Sequence, residues 1–312
     1  MKIVFPRDAD LFMLLWKHKI LTTRAIWLGA FQQTSLKTCY ERLLKLKKSS
    51  YIRRIPISDS GYAWSLSING FQILKDQLPE LKVPGYGSES PLHDLFIPLA
   101  AYSQHWPNLP AGISFLTEEE IKRFPLEYLP NWYPMDLIRR PDGIWRIQSQ
   151  SKYYLVAIEI ETTLKSALKY ETIARQYQDS ESIDRVVWFV PTLNFAETIL
   201  SSFIKRVGSN NFKHDFILLS DLISRGWESN VIVGGDNGNK LTKILNSPLD
   251  TASIPGRRLS HLDISLSPHK SVTSKFLSEA APPDLATYFK STPFSTFLKF
   301  RQSLHTKHRS HI

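Results

Sequence analysis

The stretch that most constrains this chain is residues 153–161, YYLVAIEIE. Leu155, Val156, Ala157 and Ile158 form a short, unbroken apolar run that reads as a β-strand covered on both faces. It ends in Glu159 and Glu161, with Ile160 between them. Strand side chains alternate, so the two carboxylates point the same way. Two bare carboxylates repel, and burying them costs several kcal/mol unless something positive compensates. Around this strand the chain alternates. SPLHDLFIPLAAYSQHW reads as an amphipathic helix, ISFLTEEEIKRF as a strand and an acidic helix start, and DLIRRPDGIWRIQ as a strand with a tight Pro-Asp-Gly feature. TTLKSALKYETIARQYQD follows as a helix with Leu164, Leu168 and Ile173 inward and Thr162 or Thr163 as its cap. IDRVVWFVP is a buried strand, NFAETILSSFIKRVG a helix and HDFILLSDL a strand. Apolar strands alternating with helices imply an α/β layer structure over residues 91–225.

The N-terminal part has another pattern. Asp8 is placed to cap a helix with Leu11, Leu14 and Leu15 on one face. Thr22 or Thr23 caps a second, with Ile26, Trp27 and Ala30 inward. Thr34 or Ser35 caps a third, in which Leu36, Cys39, Leu43 and Leu46 keep helical spacing. YIRRIPI and YAWSLS, joined by SDSG, read as a hairpin, and NGFQILKDQL as a last helix before the linker PELKVPGYGSESP. Three helices and a hairpin over residues 1–80 follow the order of a winged helix-turn-helix, in which the third helix enters the major groove. Its outward candidates for DNA contact are Ser35, Lys37, Thr38, Arg42 and Lys45, with Arg53 and Arg54 on the wing. Glu41 lies on the same face, and no residue at the tip of the helix names a base. The whole chain is then α+β, a winged helix followed by a mixed-sheet domain. After Gly226 the periodicity decays, and residues 226–312 read as an irregular Ser- and Pro-rich region with short helices and a basic, His-rich tail.

Charge supports a polyanion partner. The 312-residue chain carries a net +10, with a pI near 9.5. Residues 1–60 hold twelve Lys and Arg against four Asp and Glu, and residues 250–312 hold nine against four. No apolar run reaches the roughly 18 residues that span a bilayer, and Asp8 and Asp10 fall just where a signal peptide needs its apolar stretch; the expected location is the cytoplasm. The single cysteine, Cys39, rules out an internal disulfide and a zinc-thiolate cluster.

The carboxylates pose the chemical question. Asp142, in RRPDGIW, stands at the head of the strand before Glu159, and hairpin-like pairing brings the two together. A divalent cation would compensate them, and hard oxygen ligands suit Mg²⁺ or Mn²⁺. A third ligand is available in TEEE, from Glu118 or Glu120. Such a metal lowers the pKa of bound water and stabilises charge on a phosphodiester. Lys165, expected on the next helix, is within reach of the attacking water or the scissile phosphate.

The combination PDGIW…YYLVAIEIE resembles the PD-(D/E)xK nuclease superfamily, the restriction-endonuclease-like fold, with Glu161 where that superfamily usually has lysine. Lys165 resembles the variant in which the lysine has migrated to the following helix. Winged helix and nuclease-like domain together resemble the replication-relaxation family, which includes MobC-type relaxases; the matching stretches are ILTTRAIWLGAF, RLLKLKKSSYIRRI, PLHDLFIPLAAY and PDGIW…AIEIETTLKSALKYE. The resemblance implies Asp142, Glu159, Glu161 and Lys165 as catalytic residues; the reading of the residues themselves puts Asp142, Glu159 and Glu118 on the metal. His93 stands at a position that family often fills with His. It implies a metal-dependent, site-specific endonuclease or nickase of a mobile element, acting on double-stranded DNA in plasmid mobilisation or replication within a transfer or replication complex. The alternative is a non-catalytic DNA-binding regulator that keeps a degenerate nuclease fold.

Overall fold

A computed structural model describes residues 6–57, 61–88, 90–149, 152–207 and 213–246. The hairpin turn at 58–60 and everything beyond 246, including the His-rich tail, lie outside the described residues.

The first helices form where the spacing places them. Helix α1 (Pro6–His18) turns Leu11, Phe12, Leu15 and Trp16 inward. Asp8 does not cap it; it lies in the first turn, buried, and takes the Arg42 guanidinium. Thr22 caps α2 (Thr23–Ala30), its hydroxyl accepting from Ala25 N, and Ser35 caps α3 (Leu36–Lys48) by accepting from Thr38 N. Leu36, at the start of α3, stays exposed while Cys39, Leu43 and Leu46 are buried. Strands β1 (Ile52–Pro56) and β2 (Tyr62–Leu66) pair antiparallel, and Leu21 bridges to Trp64 across the hairpin's edge. Ser67 then caps α4 (Ile68–Lys75).

The rest is a six-stranded mixed sheet with helices on both faces, an α+β architecture overall. Strands β3 (Ile113–Thr117) and β5 (Lys152–Ile160) each run antiparallel to β4 (Gly143–Ser149), which lies between them; β6 (Arg185–Val190) and β7 (His214–Leu218) run parallel to β5. The last strand, β8 (Val231–Gly234), returns antiparallel at the edge. Residues 226–246 are thus not irregular: Trp227 is buried, β8 completes the sheet, and α10 (Leu241–Asn246) packs Leu241, Ile244 and Leu245 into the core. Their turn-rich composition concealed a short edge strand, which needs apolar residues for only four positions.

Alternation along the strands makes two cores. Ile144, Leu155, Ala157, Val186, Trp188 and Phe216 face α7 (Ala167–Asp179) and α8 (Leu193–Val207). Trp145, Val156, Ile158, Ile160, Val187 and Phe189 face α5 (Pro91–Tyr102) and α9 (Leu219–Arg225). This second cluster continues without a break into Leu11, Phe12, Trp16 and Trp64, so the N-terminal helices and one face of the sheet share a core. Polar ties cross the same junction: Trp16 Nε1 donates to Gly85 O at 3.2 Å, and Trp106 Nε1 to Ala25 O at 2.9 Å.

Two helix readings need correction. Helix α5 is not amphipathic: every residue from Asp94 to Tyr102 is buried, because it lies between the N-terminal unit and the sheet. Helix α7 starts four residues late, capped by Ser166, and leaves Leu164 and Leu168 exposed. Its inward stripe is Tyr170, Ile173, Ala174 and Tyr177, and Leu168 falls off it by geometry.

Candidate functional site

The site forms where β4 begins and β5 ends. Gly143 pairs with Ile158, so Asp142 stands across from Glu159, and the backbone closes the junction: Asp142 N donates to Ile158 O at 3.0 Å. Glu159 shares its sheet face with Leu155 and Ala157, towards α7. Glu159 and Glu161 are each 2% exposed. The structure therefore brings Asp142, Glu159, Glu161 and Lys165 to one end of the sheet.

Each carboxylate meets a cation of the protein itself. Arg139 grips Glu159 bidentately, Nε to Oε1 at 2.7 Å and Nη2 to Oε2 at 2.6 Å, and the Tyr177 hydroxyl donates to Oε1. Lys165 pairs with Glu161. Asp142 Oδ2 accepts from Ile160 N at 2.7 Å and lies 3.2 Å from His93 Nε2. The other His93 nitrogen, Nδ1, lies 3.2 Å from Asp94 Oδ1. The imidazole is thereby clamped between two carboxylates.

Burial and charge set the protonation states. Burial lowers the His93 pKa, but Asp142 and then Asp94 outweigh it and push it up to about 10, so the ring is an imidazolium at neutral pH. Burial raises Asp142, and His93 overcomes this, holding the carboxyl below its ordinary value. Burial dominates at Glu159 and raises it despite Arg139, with the Asp142 charge adding to the rise. Burial likewise carries the Tyr177 hydroxyl well above its usual range, so it serves as a donor.

Glu118 stands apart from this group. Its backbone N donates to Asp142 O at 3.2 Å, but its carboxylate turns to Lys19, 2.6 Å away. Lys19, just past α1, also reaches Asp94 at 3.2 Å and Glu119 at 3.6 Å. Glu120 closes a capping box with Thr117 and meets Lys17 at 3.2 Å. Among the described residues no group of three or more His, Cys, Asp or Glu side chains is arranged to hold a metal ion. The donor set does not fit one as it stands: both Glu159 oxygens, Asp142 Oδ2 and one oxygen each of Glu161 and Glu118 are engaged by protein donors.

Sequence reasoning missed Arg139, Tyr177 and Lys19. Arg139, one of two adjacent arginines just before Asp142, looks like surface charge. Tyr177 reads as one more apolar contact on α7. Lys19 is distant in sequence from every group that it touches.

On the N-terminal surface, Ser35, Lys37, Thr38, Lys45, Arg53 and Arg54 are exposed. Ser35 is committed to capping, its Oγ also 2.9 Å from the Thr38 hydroxyl, and Arg42 is half-buried on Asp8. Arg53 Nε donates to Leu66 O at 3.2 Å, and the Arg54 guanidinium lies 3.7 Å from the Tyr62 ring centre. Lys37 and Lys45 extend from α3 into solvent.

No protein-family model matches this chain, and no curated protein matches it. Among solved structures it is similar to restriction endonuclease FokI bound to DNA, with 13% identity over 69% of this chain and a TM-score of 0.24. The chain spans 43% of the length of that structure. Among the described residues no helix is long and apolar enough to cross a membrane.

Proposed function

We propose that this chain binds duplex DNA through a winged helix, and that the sheet behind it is a nuclease-like scaffold whose carboxylates are neutralised by the chain's own cations. The observation that carries the DNA reading is the basic face of α3 and the hairpin: Lys37, Lys45, Arg53 and Arg54 are exposed on one small unit of a chain with net charge +10. Lysines on α3 neutralise phosphates, and the hairpin arginines extend that contact along the backbone. Ser35 and Thr38, at the start of α3, lie where a recognition helix meets base edges, whereas Arg42 braces α3 against α1. Fluorescence anisotropy with a labelled duplex tests this. Wild type binds with a steep salt dependence, and Lys37→Ala, Lys45→Ala with Arg54→Ala weakens binding on every sequence. Equal affinity of the triple variant overturns the reading.

The second reading is a metal-dependent endonuclease or nickase, with Asp142, Glu159, Glu161 and Lys165 as its site. What favours it is the meeting of Asp142 and Glu159 from adjoining strands, beside Glu161 and its lysine. In that reading the chain acts on a mobile element in the cytoplasm, in plasmid mobilisation or replication. Supercoiled plasmid with Mg²⁺ or Mn²⁺ separates the two. Metal-dependent nicking that Asp142→Ala abolishes establishes the enzyme; tight binding with intact plasmid establishes the scaffold.

A further inference from the structure

We infer that the Arg139 guanidinium holds the place a divalent cation would take, and that this cluster is built to carry protein cations rather than a metal. The inference rests on the scaffold reading above and gives it a mechanism. Three carboxylates, Asp142, Glu159 and Glu161, face three cations, His93, Arg139 and Lys165. The local charge closes without a metal. The partners also match in geometry: a guanidinium fork meets both Glu159 oxygens at hydrogen-bonding distance, a planar fit that a carboxylate left for a metal does not need.

The surrounding residues hold that arrangement in place. Tyr177 is fully buried and donates to the same Glu159 oxygen as Arg139 Nε, which fixes the carboxylate plane. The segment that carries Arg139 is tied down at Asp136, whose Oδ2 accepts from the Ser180 hydroxyl at 3.0 Å and from Ser182 N at 3.1 Å. Arg139 is therefore anchored from both ends, by Asp136 and by Asp142. A hard divalent cation needs about six oxygen ligands and would have to displace the fork to gain either Glu159 oxygen.

Substituting Arg139 should turn the cluster into the metal site that its carboxylates resemble. The test uses the full chain without DNA. Mn²⁺ binding is followed by calorimetry and by the metal-induced change in melting temperature. Wild type should show no saturable uptake and no change in melting temperature. Arg139→Gln frees the Glu159 oxygens beside Asp142; it should bind Mn²⁺ at least about tenfold more tightly, the order by which a neighbouring residue changes metal affinity. Its melting temperature should rise with Mn²⁺, and Asp142→Asn in the same background should remove both effects. Saturable Mn²⁺ binding by wild type that Asp142→Asn abolishes overturns the inference. So does a folded Arg139→Gln that binds no better than wild type. If that variant does not fold in chelator, Mn²⁺ should restore its fold by taking the place of the missing cation, and failure of Mn²⁺ to do so also overturns the inference. Duplex affinity of the same samples, measured in chelator, reports separately on the DNA reading.

Discussion

Removing Arg139 while leaving Glu159 should cost about 4 kcal/mol at about pH 7.5, and most of that cost should disappear in acid. Glu159 is 2% exposed, and Arg139 is the cation that its carboxylate meets. In Arg139→Met the carboxylate would be buried without charge compensation, a change that usually costs 3–5 kcal/mol. Protonation sets the ceiling. Holding the group neutral near pH 7.5, against an ordinary value of 4.5, spans about 3 pH units at about 1.4 kcal/mol each. The sign follows from the shift: a carboxyl whose folded pKa is raised binds more protons folded than unfolded, so falling pH favours the folded state. The loss should therefore shrink to between about 1 and 2 kcal/mol near pH 5.5. Urea denaturation of wild type and variant at the two pH values measures it. Adding Glu159→Gln to Arg139→Met should flatten the difference between them. A loss below about 1 kcal/mol at both pH values, the worth of an exposed pair, would refute the reasoning, and so would a loss independent of pH.

Three other outcomes are expected. Because the His93 pKa is raised to about 10, its contribution to stability is whole below about 6.5 and fades as pH rises through 10. Wild type should thus lose stability from pH 7 to 10 more steeply than His93→Gln, and an NMR titration should find the ring still protonated at pH 8. Gly143→Ala would drive a methyl into the Phe115 ring and towards Leu116 O, and should cost about 1–3 kcal/mol in a thermal melt while spoiling the approach of Asp142 to β5. Each of Lys37 and Lys45 replaced by Ala should lower the slope of log affinity against log salt by about 1, since each lysine neutralises about one phosphate.

The sequence carried the local structure because local structure is set by local chemistry. Caps at Thr22 and Ser35, the third-helix stripe Cys39, Leu43 and Leu46, and the unbroken run of β5 are all written in a few neighbouring residues. So was the meeting of Asp142 with Glu159, because antiparallel pairing and a period of two leave no other face for them. What counts as solvent was not written there. Helix α5 is buried all round because the sheet and the N-terminal helices cover both of its sides. Charge compensation was likewise a tertiary matter. Glu159 and Glu161 implied that a cation must lie near them, and nothing in their neighbours said which. The answer came from Arg139, twenty residues back in sequence, from Lys165 in the turn after the strand, and, around Glu118 and Asp94, from Lys19 in the other unit. An electrostatic debt of this kind is legible in sequence as a requirement, but the partner that meets it is chosen by distance in space.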